Sequence, residues 1–438
     1  MSISGRGMGV LTCAAFSGLM TTLAEAGEPQ AQGFIEGGHL KLLARNLYWN
    51  HDGHGGSPDR REWGQGFQLD YTSGYTQGIV GLGVDLSGYQ VFKLDGGDKY
   101  SGTAGVLVPQ GQGTADASGS AGAAVKIRVS ATELKYGNNL RPYNPVFAPA
   151  DARLLPSTAT GFWLTSQEAA GLMVEAGHMT AAKDFNSTNA SDNFFASYAG
   201  VSTDTVNFAG GNYAIDDRFT VSLYGADYQD IWRQYYGGLN YVQPLSEHQS
   251  VGVDLNVYKT DDTGSALAGP IDTRAWSVAL SYVQGAHSFK LSYQKNHGDT
   301  PFDYLGMGPG TFHDSIYLAN SSQLADFNGP NERSWGAFYN LNMASFGVPG
   351  LSFGVRYIKG TDVNASNMPA GSPYAYYGSE SNEEHWERDV DVKYVVQSGS
   401  LQGLSLRVRQ ATHRIGNQAS ARSADQVRFI VQYPYDFF

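Results

Sequence analysis

Val427-Arg428-Phe429-Ile430-Val431-Gln432-Tyr433-Pro434-Tyr435 changes face at every residue. In an extended chain, Val427, Phe429, Val431, Tyr433 and Tyr435 lie on one side. Arg428, Ile430, Gln432 and Pro434 lie on the other. A strand that opposes a bulky apolar face to an arginine has two destinations. In a soluble sandwich the apolar face points into a core. In a membrane barrel it points out to lipid, and the arginine face lines a lumen.

The same alternation recurs upstream. Val80, Leu82, Val84 and Leu86 are interleaved with Gly81, Gly83 and Asp85. Val251, Val253, Leu255 and Val257 follow the rule, as do Phe289, Leu291 and Tyr293. Leu351, Phe353, Val355 and Tyr357 complete the set. Three features select the barrel. Lys and Arg occupy mid-strand polar positions, not only Ser and Thr. Aromatics gather at strand ends, as in Tyr71/Tyr75, Tyr235/Tyr236, Trp276/Tyr282 and Tyr433/Tyr435, which suits interface girdles. The third is an export signal. Arg6, a weakly apolar core from Val10 to Leu23, and Ala24-Glu25-Ala26 read as a signal peptide over residues 1–26, cleaved after Ala26.

Composition agrees. Of 438 residues only 16% are charged, against about 25% in soluble domains. The mean hydropathy of −0.31 excludes a bundle of lipid-spanning helices, so a membrane would be crossed by strands. Cys13, the sole cysteine, lies inside the leader, so no disulfide or thiolate chemistry is expected beyond it. The net charge of −12 argues against nucleic acid as a partner. Residues 27–438 are expected to form one all-β domain. Dividing about 412 mature residues by a repeat of about 23 gives roughly 18 antiparallel strands. Longer segments, about 139–165, 185–195, 258–274, 298–334 and 359–385, are loop candidates. The first of these, from Arg141-Pro142-Tyr143 to Gly161, carries too much apolar surface for open water and is expected to fold into the lumen.

The polar faces carry the functional signal. Lys41 and Arg45 share a face in the first strand. Lys126 and Arg128 share one further on. Arg407 and Arg409 share another, and Arg356, Lys393 and Arg428 lie inside three strands near the C-terminus. Closing the barrel brings the first and last strands together, so Arg45, Arg428, Arg407 and Arg409 fall on neighbouring strands. On lipid each would cost about 2–4 kcal/mol at the midplane. In the lumen they form a column of forks that match carboxylates and release them step by step. The bland alternative is that Asp389 and Asp391 pair with these arginines and merely stiffen the wall. The expected partners are small anionic solutes and outer-membrane lipid, with no cofactor and no metal.

These residues sit in a wider likeness. Leu42-Leu43-Ala44-Arg45-Asn46-Leu47-Tyr48, Glu62-Trp63-Gly64-Gln65-Gly66-Phe67, Asp230-Ile231-Trp232-Arg233-Gln234-Tyr235-Tyr236, Asp326-Phe327-Asn328-Gly329-Pro330-Asn331-Glu332 and Leu404-Ser405-Leu406-Arg407-Val408-Arg409-Gln410 appear in order. The chain resembles the OprD-type specific porins of Gram-negative outer membranes over almost its whole mature length. That resemblance implies an 18-stranded transmembrane barrel whose inward loops constrict the lumen. It implies a basic ladder on which Arg45, Arg128, Arg407, Arg409 and Arg428 fall. It also implies a constriction holding Arg153 and Ser157 in the third loop, with Asp314 and Ser315 facing them. The wording is closer to the aromatic-carboxylate, benzoate-type branch than to the branch for basic amino acids and small peptides. The first long loop, His51 to Gly56, departs from the pattern by lacking the arginines and acids that the resemblance leads one to expect there.

Rival classes have weaker support. No Gly-x-Ser-x-Gly elbow marks a hydrolase, so no enzyme is expected. His51 and His54 lie close together, but stray histidines are common in exposed Gly-rich loops. A plugged receptor would need an N-terminal globular domain, whereas strand-like pattern begins within ten residues of the cleavage site. A less selective general porin stays open, as do a monomer and a homotrimer.

Overall fold

The computed structural model describes residues 33–96, 104–308, 315–379, 381–416 and 423–438. The leader, its cleavage site and Asp314 lie outside the described residues. Among those residues, eighteen strands pair antiparallel with their neighbours into one closed sheet. They are β1 His39–Gly53, β2 Arg60–Thr72, β3 Val80–Asp95, β4 Ala117–Val129, β5 Thr132–Leu140 and β6 Thr158–Ala169. Next come β7 Leu172–Lys183, β8 Val206–Ala214, β9 Phe219–Tyr228, β10 Trp232–Ser246, β11 Gln249–Asp262 and β12 Asp272–Gln284. The circuit ends with β13 His287–His297, β14 Arg333–Asn342, β15 Leu351–Val363, β16 Glu383–Val395, β17 Ser405–Ile415 and β18 Ala424–Asp436. Closure is made by β1 against β18, from Lys41 opposite Asp436 to Gly53 opposite Ala424. A closed barrel leaves no unpaired edge, which a bilayer requires.

The alternation resolves as a membrane barrel. Leu291 is 64% exposed and Val80, Leu82, Val125, Leu223, Leu280 and Phe289 are also exposed, while the intervening Gly81, Gly83 and Ser292 are buried. A water-soluble sheet would show the reverse. Outward aromatics such as Trp63, Trp335, Tyr235, Tyr435 and Phe437 form part of the girdles. Two paired aromatics were expected there and do not both belong. Tyr235 is 53% exposed and Tyr236 only 6%, because adjacent strand residues point to opposite faces. Tyr75 lies in the β2–β3 turn, its ring beneath Lys126 and Arg128.

Every connection longer than nine residues lies at one end of the barrel, and shorter turns make up the other end. The core is not between sheets but inside the barrel at its long-loop end. There Val146, Phe147, Phe194, Phe302, Tyr304, Leu305 and Leu318 from three loops pack on Phe208, Tyr228, Trp232 and Tyr258 of the wall. The expected inward loop at 139–165 is shorter than read, running from 141 to 157. Thr158–Ala169 is strand β6, because the segment after Pro156 resumes pairing, with Lys183 opposite Thr158. The loop between β3 and β4, not singled out from the sequence, also turns inward. Glu62 accepts hydrogen bonds from the backbone N–H groups of Val106 at 2.7 Å and Leu107 at 3.0 Å.

Candidate functional site

Five adjacent strands carry the main group of cations, and their register explains why they meet. Arg356 on β15 stands opposite Asp389 on β16. Asp391 stands opposite Arg409, and Lys393 opposite Arg407, on β17. Arg409 stands opposite Arg428 on β18. Arg428 stands opposite Trp49, and Gln432 opposite Arg45, on β1. All of these side chains share the lumenal parity of their strands.

The wall is a mixed network rather than a bare column. Arg407 forks onto Asp391, with its NH2 at 2.6 Å and Nε at 2.8 Å from Oδ2. Arg409 Nε reaches the same oxygen at 3.3 Å. Arg356 pairs with Asp389. The pairing foreseen as the bland alternative therefore exists, but two acids serve three arginines. Arg428 has no carboxylate at ion-pair distance among the described residues. Its Nε donates to Gln426 Oε1 at 2.6 Å and its NH2 to the carbonyl of Gln323 at 3.4 Å. Lys393 lies half-buried between Ser352 and Arg407.

Arg45 ties this wall to the inward loop. Its NH1 donates to Asp151 Oδ1 at 2.6 Å and to the Arg153 carbonyl. With the Gln432 amide turned so that its oxygen faces Arg45, that oxygen accepts from Nε at 2.6 Å and NH2 at 2.9 Å. Arg141, in the same loop, reaches Asp151 at 3.2 Å. Burial pushes the Asp151 carboxyl up, but Arg45 and Arg141 outweigh it and hold the group below the usual carboxylate range. Arg153 lies over Trp49, 3.8 Å from the ring centroid, and its Nε donates to the Ala104 carbonyl at 3.3 Å. Arg428 lies 3.8 Å from the same centroid.

Other expected residues are placed elsewhere. Lys41 is 65% exposed at the short-turn mouth and only 3.9 Å from Asp436, remote in register from the inward loop. Lys126 is buried, 2.8 Å from Asp85, and donates to the Ser73 carbonyl at 2.8 Å, so it braces the β2–β3 turn. Arg128 rests 4.2 Å from the Tyr75 ring centroid. Ser157 is fully buried and donates to Asp184 at 3.2 Å, anchoring the loop's end instead of facing a solute. Ser315 is buried beside Tyr258, whose hydroxyl donates to the Ser315 carbonyl at 3.4 Å. Among the described residues no group of His, Cys, Asp and Glu has the arrangement of a metal centre. His51 lies against Gln426 and His54 against Asp425. Trp49 and Asp151 were missed from the sequence, although Asp151 sits two residues from Arg153 in the loop already singled out.

A second node locks the loops. Asp303 is wholly buried. It accepts from the backbone N–H groups of Tyr198 at 2.9 Å, Ala199 at 2.8 Å and Tyr304 at 2.7 Å, and from the Tyr374 hydroxyl at 3.0 Å. Burial raises its carboxyl to about 6 against the pull of these donors. Asp326 accepts from the hydroxyls of Tyr198 at 2.7 Å and Tyr304 at 2.8 Å. Three loops are thus joined by two carboxylates and three tyrosines.

The geometry is that of a closed barrel with loops packed inside it against one basic wall. Known proteins share the fold. The family model described as outer membrane porin, OprD family, matches residues 32–437. Porin D of Pseudomonas aeruginosa is 48% identical over 411 residues, covering 93% of each chain. Porin-like protein GalP of Pseudomonas putida is 34% identical over 408 residues, covering 92% of this chain and 93% of that protein. The crystal structure of P. aeruginosa OprD superposes with a TM-score of 0.83 at 45% identity, covering 95% of this chain and 99% of that one. P. aeruginosa OpdK with vanillate superposes with a TM-score of 0.82 at 33% identity, covering 92% and 100%. These relatives are channels of the outer membrane rather than enzymes. This chain belongs to the OprD family of substrate-specific outer membrane porins.

Proposed function

We propose that this porin takes up small carboxylates, aromatic monocarboxylates such as benzoate among them, along the lumenal face of β15 to β18 and β1. The observation that carries the reading is the charge balance of that face. Glu387, Asp389 and Asp391 of the wall and Asp151 of the loop sit among Arg356, Lys393, Arg407, Arg409, Arg428 and Arg45, so six cations face four acids and the face stays cationic. Arg428 in particular has no described carboxylate at ion-pair distance, Asp389 and Glu387 acting on it only from farther off. A carboxylate meeting the Asp391 pair exchanges one oxygen partner for another, so each step is weak enough to reverse. The vanillate in the OpdK structure, a ring bearing a carboxylate, supports the solute class.

Basic amino acids and small peptides are the second reading. Asp70, Asp85, Glu133 and Glu175 face the same lumen from β2, β3, β5 and β7. Either passage works in a monomer or in each subunit of a homotrimer, because wall and loop come from one chain. Export through the leader at residues 1–26, cleaved after Ala26, completes the proposal. Single-channel recording decides between solutes. Benzoate is expected to compete for a small anion-preferring current that free lysine leaves untouched. Competition by lysine alone favours the second reading, and no competition by either points to a general porin.

A further inference from the structure

We infer that Trp49 is a positioning residue: its indole holds the Arg153 guanidinium of the inward loop and the Arg428 guanidinium of the wall in one arrangement. This rests on the basic wall being the solute path but not on which carboxylate travels it.

Trp49 lies on β1 with only 5% of its surface exposed, packed with Leu47, Tyr89, Leu107 and Leu154. Arg153 and Arg428 each bring a guanidinium to 3.8 Å from its ring centroid. Two guanidiniums sharing one neighbour repel each other. A buried aromatic face offsets that repulsion, since cation–π attraction grows as water is excluded and is greatest for Trp. A carboxylate between them would do so more strongly but would cancel the charge the path offers a solute. An indole compensates electrostatically without itself neutralising either guanidinium. The indole N–H meets no protein acceptor among the described residues, so its face, not its N–H, carries the contacts. The consequence reaches the loop. Arg153 is joined to Arg45 through its own carbonyl and through Asp151, so a displaced Arg153 shifts the segment from Asp151 to Leu154.

The test uses the full-length porin in planar bilayers under a potassium chloride gradient, with no organic solute. The reversal potential then gives the ratio of anion to cation permeability. A nitroxide at position 152, exposed on the loop, reports loop motion. Trp49→Leu keeps an apolar side chain and removes the π face. It is expected to lower the permeability ratio about tenfold, the size of one desolvated cation–π contact, and to mobilise the label. Trp49→Phe is expected to keep more than half of the wild-type selectivity. In an Arg153→Met background, Trp49→Leu is expected to produce no more than a third of its effect in the parent. If Trp49→Leu does not assemble, Trp49→Met takes its place with the same expectation. Wild-type selectivity and label mobility in the Leu or Met variant would overturn the proposal. So would equal losses in Phe and Leu, which indicate packing volume alone. Loss of benzoate competition in the wild type would instead overturn the solute reading and leave this one standing.

Discussion

Arg409 and Arg428 stand directly opposite each other across the β17–β18 ladder. Like charges in that position repel, and on a lipid-facing sheet such a pair would not survive. Here Asp391, opposite Arg409 on the other side, offsets one of the two charges and leaves the other. The arrangement sets a positive field that is partly trimmed.

Removing the trimming acid sharpens the field. Asp391→Asn is expected to raise the anion-over-cation permeability ratio by about threefold, a change of about 0.6 kcal/mol in a lumen screened by salt. Reversal potentials before and after the substitution measure it. An unchanged or lower ratio would show that Arg407 and Arg409 do not face the conducting path.

The loop anchor at Asp151 has a pH signature. Its carboxyl is held below the usual range, so its contribution is complete above the unfolded value near 4 and is lost as pH falls through the lower folded value. A nitroxide at position 152 is expected to stay immobile down to about pH 4 and to loosen only in stronger acid. In Asp151→Asn it is expected to be mobile at neutral pH. Loosening of the wild type near pH 6 would contradict the anchor.

Asp303 has the opposite sign. Its folded value of about 6 lies above the unfolded one, so the protonated form is favoured in the folded protein. Its contribution is greatest below pH about 4 and declines as pH rises towards about 6. Protease digestion of the long loops across this window is expected to quicken with pH in the wild type. The group's share of that slope is absent in Asp303→Asn. Identical pH profiles for the two would sink the assignment.

The outward face can be tested by charge. Leu291→Arg, on the exposed side of β13, is expected to cost about 2–4 kcal/mol in refolding from urea into lipid vesicles. Ser292→Ala, next along the chain but lumenal, removes a hydrogen bond to Asn320 and is expected to cost about 1 kcal/mol. Equal costs would mean that the face assignment is wrong.

Much of this was legible in the chain because alternation is local. The faces of Leu82, Phe289, Val355 and Phe429 follow from period two alone, and eighteen strands follow from repeat length. Arg45 was readable as a neighbour of Arg428 because closure forces the first and last strands together, and Arg407 and Arg409 because their strand immediately precedes the last. What stayed hidden depends on tertiary approach. Nothing local distinguishes Arg153, stacked on Trp49, from a solvated loop arginine. Lys126 reads as a ladder cation until Asp85, on the preceding strand, is seen at 2.8 Å. Ser157 reads as a pore hydroxyl until burial places it on Asp184. Pairing across strands depends on register, and period two leaves register undetermined.

The most direct measurement is thiol accessibility at two adjacent positions of β17, with Cys13 replaced by Ser. Arg409→Cys is predicted to react quickly with a charged, water-soluble methanethiosulfonate and to change the channel current at once. Val408→Cys is predicted to be inert to that reagent and quenched by a lipid-borne probe. Reaction at 408 with protection at 409 would contradict the inward basic wall on which the whole account depends.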